Sequence, residues 1–127
     1  MKNSKIANIR VTVKDFFKYW LLTTKRYNKL SEREIDIVAL LLYYRYSYSK
    51  EILNEKMLWK LVFDYDTRLL IKEELNMTNS NFENNLTNIR VKGVIKDNII
   101  KSAYIPDIEL EAKNFKVIFN YNIIGNG

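Results

Sequence analysis

The sequence predicts an α+β fold, in which a helical core is followed by a β-hairpin and flanked by N- and C-terminal strands. Three observations lead to this prediction. Apolar residues recur at helical spacing between 31 and 93, often just behind a capping residue. Two short apolar runs flank Asp97-Asn98, and both residue types tolerate the left-handed geometry of a hairpin turn. Apolar and polar residues alternate over 6–14 and 115–124, which is typical of half-buried strands.

Length and composition indicate one soluble globular domain. The chain has 127 residues, of which 47% are apolar and 28% charged, enough for a single core. We expect one domain over 1–127, made of a strand and helix in 1–30, a helical core in 31–93, and the hairpin and C-terminal strands in 94–127. The longest apolar run, Ile37 to Tyr44, is too short to span a bilayer. The first residues carry no apolar segment, so no secretory signal and no membrane partner are expected.

The residue types argue against an enzyme. The chain has no Cys and no His, which excludes thiol chemistry, disulfides, most zinc sites and histidine general-base catalysis. Its three glycines form no phosphate-binding loop. Asp107, Glu109 and Glu111 could lie on one face of a strand and together hold a divalent metal. A strand edge exposed to water explains these three carboxylates more simply. We therefore predict no catalysis, no cofactor, no metal and no small-molecule substrate.

The two ends of the chain are predicted to meet as paired strands. Ile9, Val11 and Val13 share one face of the 6–14 segment, and this face is expected to pair with the 115–124 strand, within the chain or between chains. Asp15 is predicted to cap a helix that ends near Lys25 or Arg26.

The first core helix is predicted from Ser31 to about Tyr46. Ser31 and Glu34 form a capping box, and Leu30 stands where a hydrophobic staple would be. A tyrosine cluster closes this helix, at positions 43, 44, 46 and 48. These tyrosines could stack on nucleic-acid bases. The favoured interpretation is that their rings close the core and their hydroxyls point outward. A loop over 47–54 follows, and then a further helix over 55–63, which alternatively begins near Lys50.

The segment 66–95 predicts two short helices joined by a tight turn. Asp66 or Thr67 would open the first helix, 67–75, whose inner residues would be Leu70, Ile71 and Leu75. After the break at 76–78, Thr78 or Ser80 would open the second helix, 79–92, and Ser80 could form a capping box with Glu83. The core positions of the second helix would be Phe82, Leu86 and Ile89, and Gly93 would end it.

This spacing resembles the helix-turn-helix of winged-helix proteins. The first helix ends in a Leu, and the second ends in the basic-Gly-hydrophobic run Lys92-Gly93-Val94-Ile95. The hairpin at Asp97-Asn98 falls where that family has its wing. The resemblance implies a helix-turn-helix core that binds either duplex DNA or other proteins.

Charge is distributed unevenly along the chain. The net charge is +6, with +7 in residues 1–30, −2 in 31–78 and +1 in 79–127. A DNA-binding protein usually surrounds its recognition helix with Lys and Arg, whereas the second helix here is rich in Asn, which can pair with adenine. The candidate contacts to nucleic acid or to a protein partner are Asn79, Asn81, Asn84, Asn85, Asn88, Arg90, Lys92 and Lys96, together with Lys2, Lys5, Arg10 and Lys14.

The sequence also resembles small proteins of tailed phages, in particular those of the crAss-like phages. It rests on residues 30–34, 76–79 and 84–86, and on Arg90-Val91-Lys92-Gly93-Val94-Ile95 before a β-rich tail. It implies a virion protein, made in the host cytoplasm, that is auxiliary to the portal vertex and contacts capsid or portal proteins in multiple copies per particle. DNA is a further candidate partner. The alternative function is a winged-helix transcription regulator that binds duplex DNA.

Overall fold

The protein is described by a computed structural model, which covers residues 8–108, 114–116 and 122–125. Within these residues the fold is mostly helical, with a single small β-hairpin, and so it is a helix-dominated α+β fold. The helices are α1 (Val13–Thr23), α2 (Lys25–Asn28), α3 (Glu32–Tyr48), α4 (Glu55–Val62), α5 (Tyr65–Leu75) and α6 (Asn79–Val91). The strands are β1 (Ile95–Lys96) and β2 (Ile99–Ile100), and a 3-10 turn follows at Ser102–Tyr104.

Helix α3 is the centre of the fold. It packs against α1, α4, α5 and α6, and from Ile35 to Leu42 every residue except Asp36 is buried. A helix that is apolar on most sides is stable only when neighbours cover all of those sides. The predicted capping box is confirmed, since Ser31 and Glu34 exchange both of its hydrogen bonds, and Leu30 before it is buried.

Helix α5 begins earlier than predicted. Its N-cap is Asp64, whose Oδ1 accepts a hydrogen bond from the Thr67 backbone N–H at 3.0 Å. The prediction that Asp66 or Thr67 caps this helix was therefore wrong. Asp66 lies in the first turn, where a carboxylate still suits the helix dipole. Of the predicted inner residues, Ile71 is buried, whereas Leu70 is exposed.

Helix α6 is capped by Thr78, whose hydroxyl accepts from the Asn81 backbone N–H at 3.1 Å. The alternative capping box between Ser80 and Glu83 was wrong, because Ser80 already lies inside the helix. The predicted inner face is confirmed, with Phe82, Leu86 and Ile89 buried.

Both helices of this pair end in the same way. After α5, Asn76 has φ +52°, and the Met77 N–H donates back to the Lys72 carbonyl at 2.9 Å. After α6, Gly93 has φ +81°, and the Val94 N–H donates back to Ile89 at 3.3 Å. These are Schellman closures, in which a residue with positive φ lets the chain turn back on the helix.

The hairpin turns at Asp97-Asn98 as predicted. β1 and β2 are antiparallel, with Ile95 opposite Ile100 and Lys96 opposite Ile99. Asp97 and Asn98 have φ +54° and +56°, which is what a two-residue type I′ turn requires. Ile95 and Ile100 are buried, so the hairpin is attached to the core by one face.

The predicted N-terminal strand is wrong over the described residues. Residues 8–12 have no regular structure, and Val13 and Lys14 already belong to α1. The cap of this helix is Thr12, whose hydroxyl accepts from the Asp15 N–H at 3.1 Å, so Asp15 is not the cap. The helix thus begins inside the segment whose alternation predicted a strand, and Ile9 before it is 67% exposed.

The predicted C-terminal strand is also wrong where the structure describes it. Residues 115–116 and 122–124 have no regular structure, and 117–121 lie outside the described residues. The two ends nevertheless approach each other through aromatic rings. Phe115 packs edge-on against Phe16 and Trp20, with ring centres 5.1 and 5.9 Å apart. The Trp20 indole N–H donates to the Tyr104 carbonyl at 2.8 Å, which fixes the chain after the hairpin to α1.

Leu86→Ala tests the packing of α6. Leu86 is 1% exposed, and removing its side chain should lower the free energy of unfolding by about 2–5 kcal/mol. The matched control is Val91→Ala in the same helix, because Val91 is 82% exposed and should change stability by less than about 0.5 kcal/mol. Urea melts of both variants are the measurement. Equal effects would show that the register of α6 is wrong.

Candidate interaction surface

The outward side of α6 is a row of amides. With Phe82, Leu86 and Ile89 facing the core, the exposed positions include Asn81, Asn84, Asn88 and Val91. We call these four residues the amide face. It is neutral, because the only charged residues inside α6 are Glu83 and Arg90.

The asparagines predicted as contacts are not equivalent. Asn85 Nδ2 donates to the Asn81 carbonyl and to Asn81 Oδ1, at 2.9 and 2.8 Å, so these two residues bind each other. Asn79 Oδ1 accepts from Lys72 Nζ at 3.0 Å. Within the part of the chain that the structure describes, the side-chain amides of Asn84 and Asn88 have no hydrogen-bond partner. They lie four positions apart on one face and are free to bind a partner.

The basic residues at the end of α6 are bound inside the molecule. Arg90 donates to Asn98 Oδ1 at 3.3 Å, which connects the helix to the hairpin turn. Lys92 Nζ lies 2.5 Å from Glu34 Oε1. Lys96 is exposed on β1. Arg90 and Lys92, which the sequence suggested as phosphate contacts, thus have intramolecular partners. Among the described residues, Lys96 has none.

Glu34 is a buried carboxylate that accepts two hydrogen bonds. It is 4% exposed, and its Oε1 accepts from Lys92 and from the Ser31 backbone N–H at 2.9 Å. Burial raises the pKa of the Glu34 carboxyl, but the hydrogen bonds from Lys92 and Ser31 outweigh it, and the pKa lies below its ordinary value. Glu34 therefore stays ionised and holds the end of α6 against the start of α3.

The contact residues predicted near the N-terminus also differ in whether they have an intramolecular partner. Lys14 Nζ lies 2.6 Å from Glu74 Oε1 on α5 and 5.6 Å from the centre of the Tyr43 ring. The hydrogen bond to Glu74 raises the pKa of the Lys14 ammonium. Arg10 is exposed in the irregular segment before α1. Lys2 and Lys5 lie outside the described residues.

Sequence reasoning missed a groove between α4 and the hairpin. Trp59 lines it from α4, Phe63 from the position just after α4, and Ile99 from the hairpin. Charged residues of both signs surround these apolar side chains, among them Lys60 and Asp97. The two sides are about forty positions apart in the chain, and no local pattern connects them.

Across the described residues, no group of three or more acidic, Cys or His side chains is placed to hold a metal ion. In the same residues, no helix has both the length and the apolarity needed to cross a membrane.

Comparisons with models of known protein families, with curated proteins and with solved structures gave no match to this chain.

Lys92→Ala tests the ion pair between α3 and α6. The change leaves Glu34 buried without its ammonium partner, and should lower the free energy of unfolding by about 1–3 kcal/mol. Lys96→Ala is the control, because Lys96 is exposed and should change stability by less than about 0.5 kcal/mol.

The pH dependence of the same pair gives an independent check. A carboxyl whose folded pKa is depressed contributes stability above its unfolded pKa, and this contribution is lost as pH falls through the folded value. The wild-type protein should therefore lose stability below about pH 4.3, the ordinary glutamate pKa. Lys92→Ala should lose less over that range, because burial then dominates at Glu34. Thermal melts at a series of pH values measure this, and parallel curves would contradict it.

Proposed function

We propose that this protein is a non-enzymatic structural or assembly protein of a phage virion, auxiliary to the portal vertex, which joins other virion proteins. The observation that carries the proposal is the amide face of α6. This surface is uncharged, and the adjoining cations Arg90 and Lys92 are bound to Asn98 and Glu34. Duplex DNA binding depends on cations that can reach phosphates, so such a surface fits a protein partner better. The phage assignment itself follows from the sequence resemblance.

The finer fold proposed here is a winged helix. Helices α3, α5 and α6 take the places of its three helices, with the three-residue turn 76–78 between the last two. The hairpin takes the place of the wing. Helix α4 is then an insertion between the first and second helices of that fold.

The same surface has the composition of a protein interface. Asn84 and Asn88 offer donors and acceptors, and Val91 adds an exposed apolar side chain. A protein contact of moderate size combines apolar area with about one hydrogen bond per 100–200 Å². Capsid or portal subunits, present in multiple copies, are the partners that this proposal assigns, with the virion as the location after synthesis in the host cytoplasm.

A winged-helix transcription regulator is the second candidate. It is favoured by the unpartnered side-chain amides of Asn84 and Asn88, one helical turn apart on the second helix of a helix-turn-helix arrangement. Asn pairs bidentately with adenine in the major groove. On this alternative, α6 would read bases while Lys96 and the N-terminal cations contacted phosphates.

Incorporation into particles tests the first proposal. The protein should be present in gradient-purified particles of the phage that encodes it, at a constant ratio to the major capsid protein. Val91→Asp should prevent incorporation without lowering Tm, because Val91 is 82% exposed. Leu53→Asp is the control, since Leu53 is 92% exposed in the loop before α4 and makes the same change in charge. Equal incorporation of both variants would contradict the proposed surface.

Sequence selection from random duplexes tests the alternative. A regulator would enrich one sequence, and Asn84→Ala would weaken binding to it by roughly 1–3 kcal/mol for the lost base contact. That result, together with absence of the protein from purified particles, would replace the virion proposal.

A further inference from the structure

A compact group of cations lies at the corner where α1 leads into α2. Lys25, Arg26 and Lys29 fall within five consecutive positions, and all three are exposed. Tyr27, between them, is also exposed. We call these four residues the basic corner. The contact residues predicted from the sequence do not include these four.

The basic corner brings three unpaired cations together in one short stretch. Among the described residues, six other cations pair with carboxylates, as in Lys14–Glu74, Lys18–Asp36, Arg33–Asp36, Arg45–Glu55, Arg68–Glu83 and Lys92–Glu34. In this same part of the chain, Arg10, Lys56 and Lys60 also lack an acidic partner. Among the residues that the structure describes, no carboxylate lies within 4.0 Å of the Lys25, Arg26 or Lys29 head groups. Their charge is therefore directed at solvent or at a partner.

A buried asparagine makes the corner rigid. Asn28 is 2% exposed, and its Nδ2 donates to the Leu21 carbonyl at 3.0 Å and to Thr24 Oγ1 at 3.2 Å. Its Oδ1 accepts from the Leu30 N–H at 3.0 Å. One side chain thus joins α1, α2 and the start of α3. The cations around it are presented on a fixed backbone, which reduces the ordering that binding would otherwise require.

The corner also has one unfavourable backbone feature. Lys29, the C-cap of α2, has φ +58°, in the left-handed region where Gly or Asn is less strained. A lysine here adds a third cation to the corner despite that strain. Strain of this kind is found most often at functional positions.

We propose that the basic corner binds the phosphate backbone of double-stranded nucleic acid without reading its sequence. Duplex DNA carries about one negative charge per 1.7 Å of helix axis, a density that acidic protein surfaces seldom reach. Lys, Arg and the Tyr hydroxyl are all donors of the kind that contact phosphate oxygens. A four-residue helix is too short to lie along a groove, so base readout is not expected. The inference stands apart from the virion proposal, because it concerns neither the amide face nor a protein partner.

Charge removal with a matched control tests this inference. Lys25→Gln/Arg26→Gln is compared with Lys56→Gln/Lys60→Gln on α4, which makes the same change in net charge at two exposed cations. Fluorescence anisotropy with a random-sequence duplex is measured over a salt series. The corner variant should bind at least about tenfold more weakly at low salt, with the slope of log K against log salt reduced by about 2. The control should stay close to wild type. Equal losses in the two variants, or no binding by the wild-type protein, would overturn the inference.

Lys29→Gly separates binding from folding. Glycine relieves the positive φ, so Tm should stay or rise, while duplex affinity falls and the salt slope drops by about 1. A purely structural role for Lys29 would leave affinity unchanged. Lys29→Arg should restore binding by restoring the charge. If polyglutamate at equal charge concentration displaces the duplex, the corner recognises acidic protein instead and the nucleic-acid proposal is wrong.

Discussion

The arrangement of the core depends on one buried carboxylate. Glu34 closes the N-terminus of α3 by accepting from Ser31, and the same oxygen accepts from Lys92 at the end of α6. The central helix therefore begins at the point where the last helix is held. Because the hairpin follows Gly93 directly, this contact also sets where β1 leaves the core. The pair is partly buried, since the side chains of Glu34 and Lys92 are 5% and 34% exposed, and it joins the start of α3 to the end of α6. Ion pairs removed from water are not a large source of net stability.

Local rules predicted the elements in which capping residues and periodicity agree. The Ser31 box, the inner face of α6, Gly93 and the Asp97-Asn98 turn are all recovered, because each depends on neighbours within about five positions. The N-terminal strand failed where two local signals competed. Alternation at 9–13 predicted a strand, whereas Thr12 caps a helix that buries Phe17 and Leu21 against α3. The long-range packing of that helix decided the outcome, and the alternation contained no information about it.

The sequence predicted which residues lie on the candidate surface, but not which of them are free to bind a partner. Sequence reasoning placed Asn84, Asn88 and Arg90 together on one helix, and the structure agrees. It could not foresee that Lys92 would bind Glu34, 58 positions away, or that Arg90 would bind the hairpin turn. Contacts over such distances follow from the fold as a whole. The groove lined by Trp59 and Ile99 was missed for the same reason.

These long-range contacts change the meaning of the net charge. A count of +7 in residues 1–30 indicated a basic N-terminal arm, but Lys14 and Lys18 from that group are paired with Glu74 and Asp36. Of the described cations in this segment, Arg10 and the basic corner remain without an acidic partner. The amide face of α6, in contrast, is uncharged by composition, because its four residues are three asparagines and a valine. The two proposed surfaces, the amide face and the basic corner, therefore share no residue, and each can be altered by substitution without changing the other.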